Sequence, residues 1–234
     1  MVTRLNQYGQ SIGTLVEGWS VRPRPPRTDM TGRYCRLEPV DVERHAADLF
    51  AAYMAAPDDR DWTYLFMERP RGPEEIRSYL AKLQQSEDPL HFAIVDTGMH
   101  KTVGTAAFMR IEPTHGVIEV GSITFSPLLK KTRAATEAMF LMMRRAFDEL
   151  GYRRYEWKCD SLNAPSRSAA QRYGFTFEGI FRNAIVYKGR NRDTAWYSIT
   201  AQEWPRIRSA FETWLDPANF DAQGIQKHPL QART

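Results

Sequence analysis

Three strand-like segments follow one another within residues 91–125, joined only by short polar stretches, and that run restricts the folds open to this chain. His91–Asp96 (HFAIVD), Thr102–Ile111 (TVGTAAFMRI) and Gly116–Phe125 (GVIEVGSITF) are rich in β-branched and aromatic residues, the composition of pleated, half-buried strands. Connections this short cannot carry a crossover, so the three segments are expected to pair as an antiparallel meander. Side chains alternate along a strand. In the third segment Val117, Glu119, Gly121 and Ile123 are therefore placed on one face and Ile118, Val120, Ser122 and Thr124 on the other.

Helical periodicity surrounds the meander. A short strand at 34–39 leads to Asp41, which can cap a helix to about Ala55, with Ala46, Leu49, Phe50, Tyr53 and Met54 at helical spacing. Pro73 opens a second helix through Ile76, Tyr79, Leu80 and Leu83. After the meander the pattern predicts a long helix over about Ala134–Leu150 closed by Gly151, a strand at Tyr152–Asp160 and a helix at Pro165–Tyr173. Strands at Thr176–Lys188 and Thr194–Thr200 follow around a turn at Gly189-Arg190-Asn191, then a helix at Pro205–Leu215. Strand runs punctuated by single helices predict one α/β domain over residues 34–216, a mixed, mostly antiparallel central sheet flanked by helices on both faces. Residues 1–33, with Arg22-Pro23-Arg24-Pro25-Pro26-Arg27, read as an extended N-terminal arm lying on the surface. Residues 217–234 read as a polar C-terminal tail.

Composition narrows the function classes. No stretch approaches the ~18 apolar residues of a membrane span, and the N-terminus lacks the features of a secretory signal, so a cytoplasmic protein without a membrane partner is expected. Cys35 and Cys159 are the only cysteines and the five histidines are scattered singly, which supplies neither a disulfide framework nor metal-ligand spacing. The 32 basic and 28 acidic residues are interspersed, which does not point to nucleic acid.

Two segments carry the chemistry. The first runs Phe125-Ser126-Pro127-Leu128-Leu129-Lys130-Lys131-Thr132-Arg133-Ala134-Ala135-Thr136-Glu137-Ala138, from a strand into a helix. Unpaired N–H groups and the dipole at a helix start attract anions, and Lys130, Lys131 and Arg133 bring three cations close. The plainer alternative is a basic helix start on the surface. The second segment is Asn163-Ala164-Pro165-Ser166 after a strand, with Tyr173-Gly174-Phe175 and Glu178-Gly179 following the next helix. Here Asn163 also reads as a turn residue and Ser166 as a helix cap. Glu119 sits amid Val117, Ile118 and Val120, a costly place for a carboxylate unless it is hydrogen-bonded or functional; otherwise it is an exposed strand glutamate.

Over roughly residues 34–200 these segments and their order resemble the GNAT superfamily of N-acetyltransferases. The Ala135–Ala138, Asn163–Ser166, Gly174-Phe175 and Glu178-Gly179 elements resemble its ribosomal-protein N-terminal acetyltransferase (RimJ/RimL-like) branch. The resemblance implies direct transfer of acetyl from acetyl-CoA to a primary amine, on a protein N-terminus or a small molecule, without a metal and in a monomer or homodimer. It implies pyrophosphate binding by Lys130, Lys131, Thr132, Arg133, Ala134, Ala135 and Thr136, and a pantetheine arm along Phe125 and Ser126 and against Asn163 and Ser166. In the family's Gln/Arg-x-x-Gly-x-Gly/Ala loop, Lys130, Arg133 and Ala135 take the marked places, and arginine disfavours the positive φ that glycine allows. The family's tyrosine acid, seven residues after the asparagine, is Ala170 here, so Ser166 inherits the place as acid or as a group orienting the sulfur. The branch's later strand glutamate falls at Ile185, whereas Glu119, eleven residues before Lys130, has the spacing of the catalytic glutamate in other members. Glu119 is therefore the expected base for the amine proton. Trp62, Tyr64 and Asp193 are expected to border the amine, with Trp62 as core and Asp193 as a turn residue the alternatives. The glycine-poor loop and the missing tyrosine also support a rival reading, a non-catalytic acyl-CoA-binding domain.

Overall fold

The computed structural model describes residues 4–233. Its elements are β1 (Arg4–Leu5), β2 (Ser11–Ile12), β3 (Met30–Thr31), β4 (Cys35–Pro39), α1 (Val42–Met54), α2 (Pro73–Gln85), β5 (Leu90–Asp96), β6 (Lys101–Glu112), β7 (Val117–Phe125), α3 (Arg133–Arg144), β8 (Arg154–Asp160), α4 (Ala164–Arg172), β9 (Thr176–Tyr187), β10 (Arg190–Thr200) and α5 (Trp204–Leu215). Strands β3 to β10 form one sheet in the order β3-β4-β5-β6-β7-β8-β10-β9. The meander β5-β6-β7 is antiparallel as expected. Only β7 and β8 run parallel, because α3 carries the chain back between them.

Two apolar cores cover the two faces of the sheet. On one, Phe108, Ile118 and Tyr155 pack with Met139 and Met142 of α3 and Phe211 of α5. On the other, Ala93 meets Leu49 and Tyr53 of α1 and Ile76 and Leu80 of α2. This is the mixed α/β architecture that the order of periodicities implies.

Local geometry departs from the sequence pattern at three places. Thr105 pairs with Thr124 but Ala107 with Gly121, so β7 holds one extra residue, and Ser122 takes φ 50°. The bulge reverses the alternation. Ile118 and Val120, then Ile123 and Phe125, all face the α3 core, which corrects the placement of Ile123 beside Glu119. The expected helix to Leu150 ends its α geometry at Arg144, and the Leu150 N–H then bonds the Arg145 carbonyl at 3.0 Å in a wider π turn. In the last hairpin Lys188 and Gly189 both have positive φ (48° and 67°), the two-residue turn that matches strand twist. Both strands therefore run right up to it, and β10 starts at Arg190 instead of Thr194.

The segments just before β4 and just after α5 are fastened to this frame. Glu137, buried in α3, accepts backbone N–H bonds from Arg33 (2.9 Å), Tyr34 (2.6 Å) and Cys35 (2.8 Å). A side chain at Gly32 would collide with that carboxylate, so glycine is required there. Arg145 donates to the Thr28 and Asp29 carbonyls at 2.7 and 2.9 Å. Beyond α5, Leu230 and Ala232 are buried, and Asn219 bonds the backbone of His228 at both its carbonyl and its amide.

Candidate active site

The site is built on the one place where the sheet opens. β7 and β8 pair only over Val117–Val120 and Arg154–Trp157. Beyond that point β7 stays on β6 to Phe125 and β8 stays on β10 to Asp160. The two strands therefore diverge into a V whose inner edges are not bonded to each other. The Ser122 bulge lies on one arm of the V and Lys158 on the other.

The β7 arm runs into the start of α3. Thr132 is the N-cap, its Oγ1 accepting from the Ala135 N–H at 3.1 Å. The left-handed residue is Lys131 (φ 62°), so Arg133 enters the helix with ordinary geometry and the loop turns without a glycine. The amides of Lys131, Arg133 and Ala134 have no backbone acceptor among the described residues, an arrangement suited to an anion. The expected trio of cations does not assemble there. Lys130 is ion-paired with Asp61, and the Arg133 guanidinium stacks over Tyr34 (4.7 Å) and Phe220 (4.9 Å). Lys131 alone of the three has neither an ion pair nor an aromatic partner among the described residues. Ser126 is buried with its Oγ unpaired, and Thr136 accepts from Arg172 at 3.2 Å.

On the β8 side, Asn163 caps α4, its Oδ1 accepting from the Ser166 N–H at 3.1 Å. Its side-chain N–H₂ has no partner among the described residues. Ser166 is therefore not the cap. Its Oγ accepts from the Trp157 indole at 3.0 Å, at the point where the V begins. Asn163→Ala is expected to cost about 1 kcal/mol, the usual loss of a cap, read as a melting temperature lowered by about 2–4 °C. No change would mean that α4 does not depend on this cap. Burial pushes the Cys159 thiol up, which leaves it inert as a nucleophile.

Glu119 is buried, so the exposed-strand alternative is excluded. Its Oε2 lies 2.8 Å from Lys158 Nζ and 3.6 Å from Arg110 Nε. Lys158 also reaches Glu156 at 2.7 Å and sits 3.7 Å over the Trp196 ring. Burial pushes Glu119 above the usual carboxylate range, and Lys158 pulls it part of the way back. A carboxylate so raised holds a proton more readily than an exposed one. Sequence reading missed Lys158. Its signal was the alternation of Arg154, Glu156, Lys158 and Asp160 with apolar residues, which puts the charges on one face of the strand, but its partner depended on a parallel register that the sequence does not display.

Of the three residues expected around the amine, two are placed elsewhere. Trp62 is fully buried, edge-on to Tyr53 at 5.5 Å, and belongs to the α1–α2 core. Asp193 alternates onto the opposite face of β10 from Trp196. There it accepts from Asn183 N–H (2.8 Å) and Asn191 Nδ2 (2.9 Å), bonds that hold its carboxyl below the usual range. Tyr64 does reach the site, donating to the Leu162 carbonyl at 3.2 Å. The segment 58–70 thereby spans the mouth of the V. Asp61 is tied to Lys130, and the carbonyls of Trp62 and Thr63 accept from Lys188 (2.9 Å) and Arg190 (2.8 Å). Open depressions of about 480 Å³ between α1 and α2 and about 770 Å³ beside the β9 bulge lie away from it. No cluster of metal-ligating side chains occurs among the described residues, and no helix there is long and apolar enough to cross a membrane.

Residues 35–176 match the acetyltransferase (GNAT) domain family. The fold superposes on a GCN5-related N-acetyltransferase from Brucella melitensis with a TM-score of 0.91 and 50% identity, covering 92% of this chain and 98% of that one. A probable acetyltransferase of the GNAT family from Chromobacterium violaceum gives a TM-score of 0.76 and 38% identity over 83% of this chain and 96% of that one. The SPbeta prophage-derived uncharacterized N-acetyltransferase YokL of Bacillus subtilis is 26% identical over 135 residues, which is 58% of this chain and 75% of YokL. With the V between two parallel strands, the open helix start behind it and a family match over more than half its length, this chain belongs to the GNAT acetyltransferase family.

Proposed function

We propose that the protein is a cytoplasmic, metal-independent N-acetyltransferase that uses acetyl-CoA and transfers its acetyl group directly to a primary amine held on the α1–α2 side of the sheet. The observation that carries this reading is the V between β7 and β8, which leads to unpaired amides at the start of α3. Acetyl-CoA supplies the acyl group already activated as a thioester. The open amides of Lys131, Arg133 and Ala134, with the Lys131 ammonium, hold its pyrophosphate, and the edges at Phe125 and Ser126 pair with the pantetheine arm. The free amide of Asn163 steadies that arm from the β8 side. Glu119 takes the amine proton, amides at the Ser122 bulge meet the developing oxyanion, and Ser166 orients the sulfur. The Asn163–Ser166, Gly174-Phe175 and Glu178-Gly179 elements favour the ribosomal-protein N-terminal acetyltransferase branch, with a protein N-terminus or a small amine as acceptor. Loss of turnover in Ser166→Ala should stay within roughly a hundredfold, the low end of acid–base contributions.

The cosubstrate reading is tested by thermal melting. At a hundred times its Kd, acetyl-CoA stabilises the native state by about 2.7 kcal/mol, a rise of roughly 5–10 °C for a chain of this length. Lys131→Ala should weaken binding about three- to tenfold, less so at high salt. A melting curve that millimolar acetyl-CoA leaves unmoved removes the proposal. Binding without any coenzyme A release across an amine panel would make the chain a binding module instead.

A further inference from the structure

Strand β10 carries a row of donors that the rest of the chain leaves unpaired. Arg192, Thr194 and Trp196 alternate onto one face. This is the face of Lys158 and Asp160, because Trp196 is the register partner of Lys158 and Thr194 of Asp160. Arg192 is 8% exposed and Thr194 4%. Arg192 Nε, Thr194 Oγ1 and Trp196 Nε1 are all shielded from solvent, and none meets a hydrogen-bond partner among the described residues. No carboxylate there lies within ion-pair distance of the Arg192 guanidinium, which rests over Phe66 (5.4 Å) and Tyr187 (6.0 Å). Aromatic faces offset only part of the cost of burying a charge.

The surroundings explain why the row is unpaired. Asp160, across from Thr194 on β8, is the neighbouring carboxylate, and it is already taken by the Tyr187 hydroxyl (2.8 Å) and the Leu162 N–H (2.9 Å). The neighbouring cations of the hairpin, Lys188 and Arg190, spend their donors on the carbonyls of segment 58–70. Buried donors are nearly always paired in native proteins, and a lone one calls for a partner that the chain does not supply. Three such groups at two-residue intervals on one strand, one of them a full positive charge, form a track for oxygen atoms.

We propose that this row binds the anionic, oxygen-rich part of the acceptor, with a carboxylate or phosphate against Arg192 and the amine at Glu119 beside Lys158. This adds the class of acceptor to the transfer reading and rests on it. Arg192 and Trp196 are four positions apart, about 13 Å along a strand. The acceptor is therefore longer than a free amino acid. An extended tetrapeptide, at about 3.3–3.6 Å per residue, or an aminoalkyl phosphate of similar length fits that span. Segment 58–70, whose Phe66 covers Arg192, lifts to admit it.

Coenzyme A release is measured with tetrapeptides bearing a free carboxylate against their C-terminal amides, and with long aminoalkyl phosphates against the matching amino alcohols. The anionic member of one pair should be preferred by about tenfold or more in kcat/KM, as for a hydrogen-bonded charge, and Arg192→Met should bring that ratio close to one. The pair that responds tells carboxylate from phosphate. A second measurement needs no turnover. Inorganic phosphate should raise the melting temperature of the parent more than that of Arg192→Met, and the ligand-free variant should melt at or above the parent, because methionine fills the space without a buried charge. If the variant melts lower by about 4 °C or more, Arg192 is a packing residue and the proposal falls. It falls equally if the parent turns over both members of each pair alike. If acetyl-CoA leaves the melting curve unmoved while the phosphate difference persists, it is the transfer reading that fails, and β10 keeps an anion site of another purpose.

Discussion

Glu119→Gln is expected to lower turnover at neutral pH by roughly 10²–10⁴, the range for a lost general base, while acetyl-CoA affinity hardly changes. The amide keeps the shape and one acceptor for Lys158 but cannot take a proton from the amine. Raising the pH should restore part of the rate, as more amine arrives deprotonated. The parent has its own pH signature. Glu119 acts as a base only when ionised, and burial places its titration above the usual carboxylate range. The acid limb of kcat/KM should therefore lie above that range. Lys158 opposes the shift from 2.8 Å, so Lys158→Met should move the limb to higher pH, by about one to three units for the loss of an adjacent opposite charge. A Glu119→Gln protein that folds, binds acetyl-CoA and turns over like the parent would take the residue out of the mechanism.

The largest effect on stability is expected at Glu137. Glu137→Gln should cost about 3–5 kcal/mol, since bonds to a charged acceptor contribute about 1.5–3 kcal/mol each and do not add fully. The melting temperature should drop by roughly 10 °C. The new amide N–H₂ would replace one of the two acceptor oxygens, face one or two of the three N–H donors of residues 33–35 and leave at least one of them without an acceptor. Glu137→Ala adds a void beside Gly32. A loss of only a degree or two in both variants would mean that solvent satisfies those amides and that the carboxylate is not what holds the entrance to β4.

The element order was readable because it rests on period and punctuation: an unbroken meander, then single helices between strands. What escaped was geometry set by tertiary contacts. Nothing in Gly121-Ser122-Ile123 marks a bulge, because Ser122 adopts its positive φ only where β6 and β7 differ by one residue. Within the site, the segments at 125–138 and 163–166 were found because helix starts and caps are local chemistry. Individual side chains fared worse. Arg133 turns to the rings of Tyr34 and Phe220, ninety or so positions away on either side, and Trp62 joins a core that the sequence left optional. Glu119 could be singled out as a charge in an apolar strand, but not its partner. Lys158 lies across the parallel pairing, whose register no turn dictates because α3 separates its two strands.

That short parallel pairing has a consequence for how such a chain can change. On either side of it the pairing is antiparallel throughout, β3 to β7 in chain order on one side and β8 with the β9–β10 hairpin on the other. Four residue pairs and α3 form the seam between two blocks that each keep their own register. A hairpin lengthened in the second block, or a segment such as 58–70 replaced in the first, alters the contacts across the mouth of the V but not the strand register of either block. Contacts at the mouth can therefore drift through substitutions in the outer parts while the seam, and the cleft it opens into, stays as it is.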